Sequence, residues 1–161
     1  MSTPRIRVTF SMKKVLNSLV DKGLARFKHG KFFPTSYKSV LQYDAANIVN
    51  YLKQVFRGLV NYYSFSDNWY DTKSIFNYFG KYCTAMTLAH KLKSKVPKIF
   101  KKYGDSITIK SEKGSILASF GKYDGKPFKK ARFDRRQTVL CRDVEQLLFN
   151  NLKIAKMHMI N

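Results

Sequence analysis

Acidic residues are scarce in this chain. Ten Asp and Glu stand against 31 Lys and Arg, a net charge of +21 over 161 residues. Cysteine is also rare, with Cys83 and Cys141 lying 58 positions apart and no CxxC pair. That spacing excludes a zinc finger or ribbon, and nothing in it calls for a disulfide. There are only 8 Gly and 4 Pro, no internal repeat and no low-complexity tract. No apolar run approaches the roughly 18–20 residues of a membrane span. The start, "MSTPRIRVTF", is too short and Pro-broken for an amphipathic transit helix, and it lacks the apolar stretch of a signal peptide.

Catalytic patterns are missing as well. The sequence contains no Walker A loop, GxGxxG, HExxH or GxSxG. A two-metal nuclease or polymerase needs clustered carboxylates, and here the acids are scattered. "QYDAAN" has Asp44 alone rather than paired aspartates. His29, His90 and His158 are far apart and read as surface or partner-facing groups rather than catalysts. The expectation is a protein that is not an enzyme, with no cofactor and no metal site.

What is present is positive charge on a chain able to fold. The apolar share is 44%, and a chain of this length hides roughly two-thirds of its unfolded surface. Solubility alone needs a net charge of only about 2–8. A charge of +21 calls for a polyanion, with nucleic acid the first candidate and an anionic membrane surface the second. Residues 81–136 carry 16 Lys or Arg against 4 Asp or Glu, so the densest basic surface is expected there. Usage leans to Phe, Tyr, Lys, Asn and Ile, with 13 Phe and 10 Tyr. Their A/T-rich codons point to an A/T-biased, organelle-encoded gene and a mitochondrial location.

Periodicity predicts a mostly α fold, a small helical bundle with a short β-hairpin and basic extensions. "SMKKVLNSLVDKG" is a first helix, with Ser11 as N-cap, Val15, Leu16, Leu19 and Val20 on one face, and Gly23 as the stop. "LARFKHGKFFPTSY" alternates aromatic and basic residues and reads as a short hairpin or an extended arm. Asp44 caps a long helix through "NYYSF" with an apolar stripe from Ile48 to Tyr63. Gly58 sits inside it. A mid-helix Gly costs about 1 kcal/mol, which close approach of another backbone, helix or RNA would offset. A third helix starts at Thr72, capped by Asp67, Asn68 or Asp71, with Ile75, Phe76, Phe79, Cys83, Met86, Ala89 and Leu92 turned inward. Ser94 caps a short fourth helix with Pro97 in its first turn and Gly104 at its end. "SITIK" and "SILASF", joined by "SEKG", form a hairpin. A basic loop and a last helix near residues 142–161 follow. The segments divide as 1–43, an N-terminal helix plus arm; 44–104, a helical core; and 105–161, the hairpin, basic loop and C-terminal helix.

Three ordered blocks carry a resemblance. They are "RGLVNYYSFSDN" (Arg57, Gly58, Asn61, Tyr62, Tyr63, Asn68), "YCTAMTLAHKLK" (Ala85, Thr87, Leu88, Ala89, Lys91) and "KIFKKYG" (Lys98 to Gly104). Together they resemble domain X, the thumb-like RNA-binding domain of group II intron maturases. "FFPTS" and "SVLQYDAANIVNYLKQV" fit its approach, so the likeness covers about half the chain well and two-thirds loosely. His90 stands where the family has a basic residue. The chain has no room for the polymerase half. "KIAKMHMIN" is at most a dead remnant of the endonuclease half, with one His where two are expected and no cysteine pairs.

The resemblance implies a helical domain gripping structured intron RNA, whose own metal ions do the chemistry. Arg57 and Asn61, four apart on a helix, would present donors on one face. Tyr62 or Tyr63 would stack on a splayed base, and Asn68 and His90 would join the contact. Lys91, Lys93, Lys95, Lys98, Lys101, Lys102, Lys129, Lys130, Arg132, Arg135 and Arg136 would neutralise phosphates. Two functions share this surface: a maturase assisting intron folding and splicing, or a maturase-derived clamp on ribosomal RNA in the mitochondrial ribosome, among ribosomal proteins. Pairing with a separate reverse-transcriptase chain is a third arrangement.

Overall fold

The computed structural model describes residues 7–127. The expected C-terminal helix, the endonuclease remnant, and Lys129, Lys130, Arg132, Arg135 and Arg136 lie outside the described residues. Within them run α1 (Met12–Asp21), β1 (Ala25–Lys28), β2 (Lys31–Pro34), a short 3-10 helix (Lys38–Val40), α2 (Ala45–Tyr62), α3 (Trp69–Lys91), α4 (Val96–Tyr103), β3 (Thr108–Lys110) and β4 (Ile116–Ser119). The fold is mostly helical, with two short antiparallel hairpins, β1–β2 and β3–β4.

α3 is the central element. It packs against α2, α4 and β2, while α2 also meets β4 and α1 meets β1. Burial reaches nearly all round α3: Trp69, Phe76, Phe79, Gly80, Cys83, Ala85, Leu88 and Ala89 are buried, and so are Thr72, Thr84 and Thr87. Each buried threonine hydroxyl donates to the carbonyl four residues back, at 3.1, 2.8 and 2.7 Å respectively. That local bond satisfies the hydroxyl and lets a polar residue face the core. The one-sided stripe expected for this helix was therefore too narrow. Leu92, expected inside, is exposed.

α2 buries Ile48, Val49, Leu52, Phe56 and Val60 against α3, as its stripe predicts. Side chains of this kind contribute roughly 1.5–3 kcal/mol each when fully buried. The helix ends at Tyr62, three residues before the expected end at Phe65, and α3 begins at Trp69, three before Thr72. The early start buries the Trp69 indole, whose Nε1 donates to the Val60 carbonyl at 3.4 Å.

The helix ends also differ from expectation. Ser11, Asp44 and Asn68 occupy N-cap positions, but none makes a side-chain cap bond, and Lys95 rather than Ser94 is the N-cap of α4. Asp67 and Asn68 hold the N-terminal segment instead. Val8 N–H donates to Asp67 Oδ2 at 2.7 Å. Phe10 N–H donates to Asn68 Oδ1 at 3.2 Å, and Asn68 Nδ2 returns a bond to the Phe10 carbonyl at 2.8 Å. α1 stops as expected at Gly23, with φ +73°. The Gly23 and Leu24 N–H groups close back on Val20 and Leu19, the bond pair of a Schellman end.

The long-range glycine is Gly80, not Gly58. An added Cβ at Gly58 meets nothing within 4 Å, so no other element of the described chain approaches it. At Gly80 it would lie 2.5 Å from Phe120 Cζ and 2.9 Å from Phe56 Cγ. The missing side chain lets Phe120, just after β4, cross α3 and meet Phe56 edge-on at 6.2 Å.

Candidate nucleic-acid interface

The exposed surface at the end of α3 and along α4 is built from lysines. Within α4, Lys98, Lys101 and Lys102 recur at three- and four-residue spacing and are exposed, while Ile99 on the opposite side is buried and Phe100 and Tyr103 pack on the core. The sequence puts cations and apolar residues on opposite faces of one short helix, so burying one face presents the other. Lys93 and Lys95, in the connection from α3, are exposed too.

Lys93 has φ +48°. It occupies the left-handed position of a Schellman end, where Lys93 N–H donates to His90 O and Ser94 N–H to Ala89 O. Glycine is the usual residue there, and an L-residue costs roughly 1–2 kcal/mol more. A charged side chain thus stands at the tightest turn of the basic surface.

Lys91 is placed differently from its neighbours. It is half-buried, and its Nζ donates to the Leu41 carbonyl at 2.9 Å, tying α3 to the segment after the 3-10 helix. His90 is exposed, and its Nδ1 lies 3.5 Å from Ser36 Oγ. One residue on, the Tyr37 N–H donates to Thr87 Oγ1 at 3.0 Å. Thr87, Leu88 and Ala89 of the second block are therefore packing residues that seat the β1–β2 exit on α3.

The first block divides in a similar way. Arg57 and Asn61 are both exposed on α2. Tyr123, from the segment read as a basic loop, closes over them. Its hydroxyl donates to Asn61 Oδ1 at 2.5 Å, and the Arg57 guanidinium carbon stands 5.9 Å from its ring centre. Asn77 on α3 holds the Tyr123 backbone, accepting from its N–H at 3.1 Å and donating to its carbonyl at 3.4 Å. With its oxygen taken, the Asn61 carboxamide keeps its NH2 as a donor for an incoming acceptor. Tyr123 was not anticipated, because it comes from a remote, Gly-flanked stretch with no periodicity.

Tyr62 and Tyr63 part company. Tyr62 is 66% exposed. Tyr63 is half-buried, edge-on to Phe10 at 4.8 Å and tilted over Phe76 at 5.5 Å. Burial pushes the Tyr63 hydroxyl's pKa up. Tyr62 meets Tyr63 edge-to-face at 5.0 Å, and of the two it is the one with most of its ring still open to a base. Asn68 likewise spends its carboxamide on Phe10.

Acidic partners are few. Among the described residues the ion pairs are Lys73 with Asp124, at 3.7 Å, and Lys81 with Asp105. Lys81 holds the Asp105 carboxyl below its usual range. Neither pair involves the lysines of α4. No group of three or more His, Cys, Asp or Glu among the described residues could hold a metal ion. No buried side-chain nitrogen or oxygen among them lacks a hydrogen-bond partner. No helix among them is long and apolar enough to cross a membrane.

Comparison with known families matches residues 3–150 to the type II intron maturase family. The chain belongs to that family. Comparison with curated proteins gave no match. The match extends over α1, both hairpins and the basic tail, well beyond the three blocks. In this maturase-family chain the family's RNA-related role and the exposed α3–α4 lysines point to the same kind of partner.

Proposed function

We propose that this maturase-family protein binds structured RNA of a mitochondrial group II intron and helps it reach its splicing-competent fold, without chemistry of its own. The observation that carries the reading is the α4 face, where Lys98, Lys101 and Lys102 are exposed with no carboxylate bound to any of them among the described residues. Together with Lys93 and Lys95 they form a donor array suited to phosphate oxygens. Arg57, the Asn61 NH2 and the Tyr62 ring add a second contact suited to an unpaired, stacked base. Lys91 acts mainly by holding α3 to the segment after the 3-10 helix, and Tyr63 and Asn68 by holding the N-terminal segment.

Shape and unpaired bases would set the RNA preference, and phosphate neutralisation the affinity. The test is crosslinking of the protein to RNA in its own organelle, followed by sequencing. Reads concentrated on intron RNA are expected. Reads concentrated on one ribosomal RNA segment would replace the splicing role with a ribosomal one, and no enriched RNA would overturn RNA binding altogether.

A further inference from the structure

The β1–β2 hairpin is the most cationic feature that the site above leaves unused. From residue 22 to 43 the chain has Lys22, Arg26, Lys28, Lys31 and Lys38 and no Asp or Glu. The two strands pair Arg26 with Phe33, Phe27 with Phe32 and Lys28 with Lys31. His29 and Gly30 make the turn with φ +50° and +74°, the positive angles that a tight two-residue hairpin requires. Cross-strand partners share a face, and faces alternate along a strand. One face therefore holds Ala25, Pro34, Phe27 and Phe32. Ala25 and Pro34 are buried at its base, and the two phenylalanine rings touch at 4.8 Å.

The other face holds Arg26, Lys28, Lys31 and Phe33, and all four are exposed. Phe33 is 41% exposed at one corner of this face, with Arg26 across from it, Lys31 two residues back and Lys28 on the diagonal. Lys28 lies directly opposite Lys31, and like charges so placed weaken a hairpin. The arrangement opposes its own stability unless an anion screens it. The hairpin is nonetheless firmly planted. Thr35 N–H donates to the Leu24 carbonyl, and the next residues bond to α3 through Thr87 and His90. It thus adjoins the basic end of α3.

The geometry points to this outer face as a further RNA contact, taking an unpaired nucleotide: its base stacks on Phe33 and its flanking phosphates meet Arg26, Lys28 and Lys31. This rests on the RNA-binding reading and extends it to a surface where stacking, not only charge, selects single strands. Charge complementarity and an exposed aromatic ring beside three cations favour a nucleotide over a purely ionic partner.

The test uses the full chain with a fluorescent, unstructured single-stranded RNA of about a dozen nucleotides, and with a duplex of similar length. Phe33→Ala should weaken single-strand binding about 5- to 150-fold, the range that loss of one base–aromatic stack produces. Phe33→Trp should preserve binding, and duplex binding should be unchanged. Lys28→Glu should raise the Tm, by pairing with Lys31, while lowering RNA affinity. If the wild type binds RNA and Phe33→Ala binds the single strand equally well, the hairpin contact is overturned while RNA binding stands. If the wild type binds neither RNA, the RNA reading itself falls and this one with it. If it binds phosphatidylserine vesicles instead, and Phe33→Ala abolishes that, the face belongs to a lipid surface and the inference is overturned.

Discussion

The two mid-helix glycines should respond to alanine with opposite signs. Gly58 is exposed on α2, and an added methyl meets nothing within 4 Å. Replacing it gains the helix preference of Ala over Gly, about 1 kcal/mol. Gly80 gains the same preference. Its methyl, however, would enter at 2.5 Å from Phe120 Cζ and 2.9 Å from Phe56 Cγ, and both rings are buried. Phe120 can be displaced from its ring tip, but Phe56 is approached at the root of its ring, on a helix packed against α3. Overpacking of this sort costs typically 1–3 kcal/mol. Gly58→Ala should therefore stabilise by about 1 kcal/mol, and Gly80→Ala should destabilise by up to about 2 kcal/mol. For a chain of this size that means roughly 2–4 °C of Tm per kcal/mol. Urea unfolding followed by circular dichroism reads both. Phe120→Leu in the Gly80→Ala background should recover part of the loss, a coupling that a double-mutant cycle isolates. Equal stabilisation by both alanines would refute the close packing of Phe120 on α3. If RNA lies along the exposed side of α2, Gly58→Ala should also weaken RNA binding while raising stability, a split that no folding defect produces.

Further outcomes follow from single contacts. Lys93→Gly relieves the left-handed strain and should stabilise by about 1 kcal/mol while lowering RNA affinity, measured by urea midpoint and fluorescence anisotropy; loss of both would mean that Lys93 is structural. Lys91→Ala should lower stability by about 1 kcal/mol through its lost bond to Leu41. The triple change of Lys98, Lys101 and Lys102 to Ala should leave the Tm nearly unchanged and shrink the salt dependence of RNA binding by about 2 in logarithmic slope. An unchanged slope would remove α4 from the interface. Cys83 is buried, and burial pushes its thiol up to about 12 from an ordinary value near 9. Its folded pKa is raised, so the associated stability is fully present below pH 9 and is lost as the pH climbs from 9 toward 12. In a Cys141→Ser chain an aromatic disulfide reagent at pH 8 should label Cys83 only on unfolding; fast labelling of the folded chain would contradict its burial.

The legible parts of this molecule were the local ones. The α2 stripe from Ile48 to Val60, the opposed faces of α4 and the Gly23 stop all arise from side chains within a few residues of one another, where period and turn chemistry suffice. The β3–β4 pairing likewise joins the two segments expected. α3 was harder to read because a helix covered on several sides has no single stripe. Its threonines look polar in sequence, yet they are satisfied by their own backbone. Leu92 misled for the opposite reason: it is apolar, but it falls at the C-cap, where the chain turns outward.

Composition alone carried the expectation of a polyanionic partner, since charge is additive and needs no fold to be counted. The three sequence blocks also carried the family. What only the tertiary structure decided is which members of those blocks face outward. Tyr63 and Asn68 are claimed by Phe10, more than fifty residues away; Lys91 is claimed by Leu41; Asn61 is turned by Tyr123. Each such contact joins distant parts of the chain. Spacing along a sequence registers neighbours on one helix or strand, but it does not show which remote group takes up a side chain's hydrogen bond.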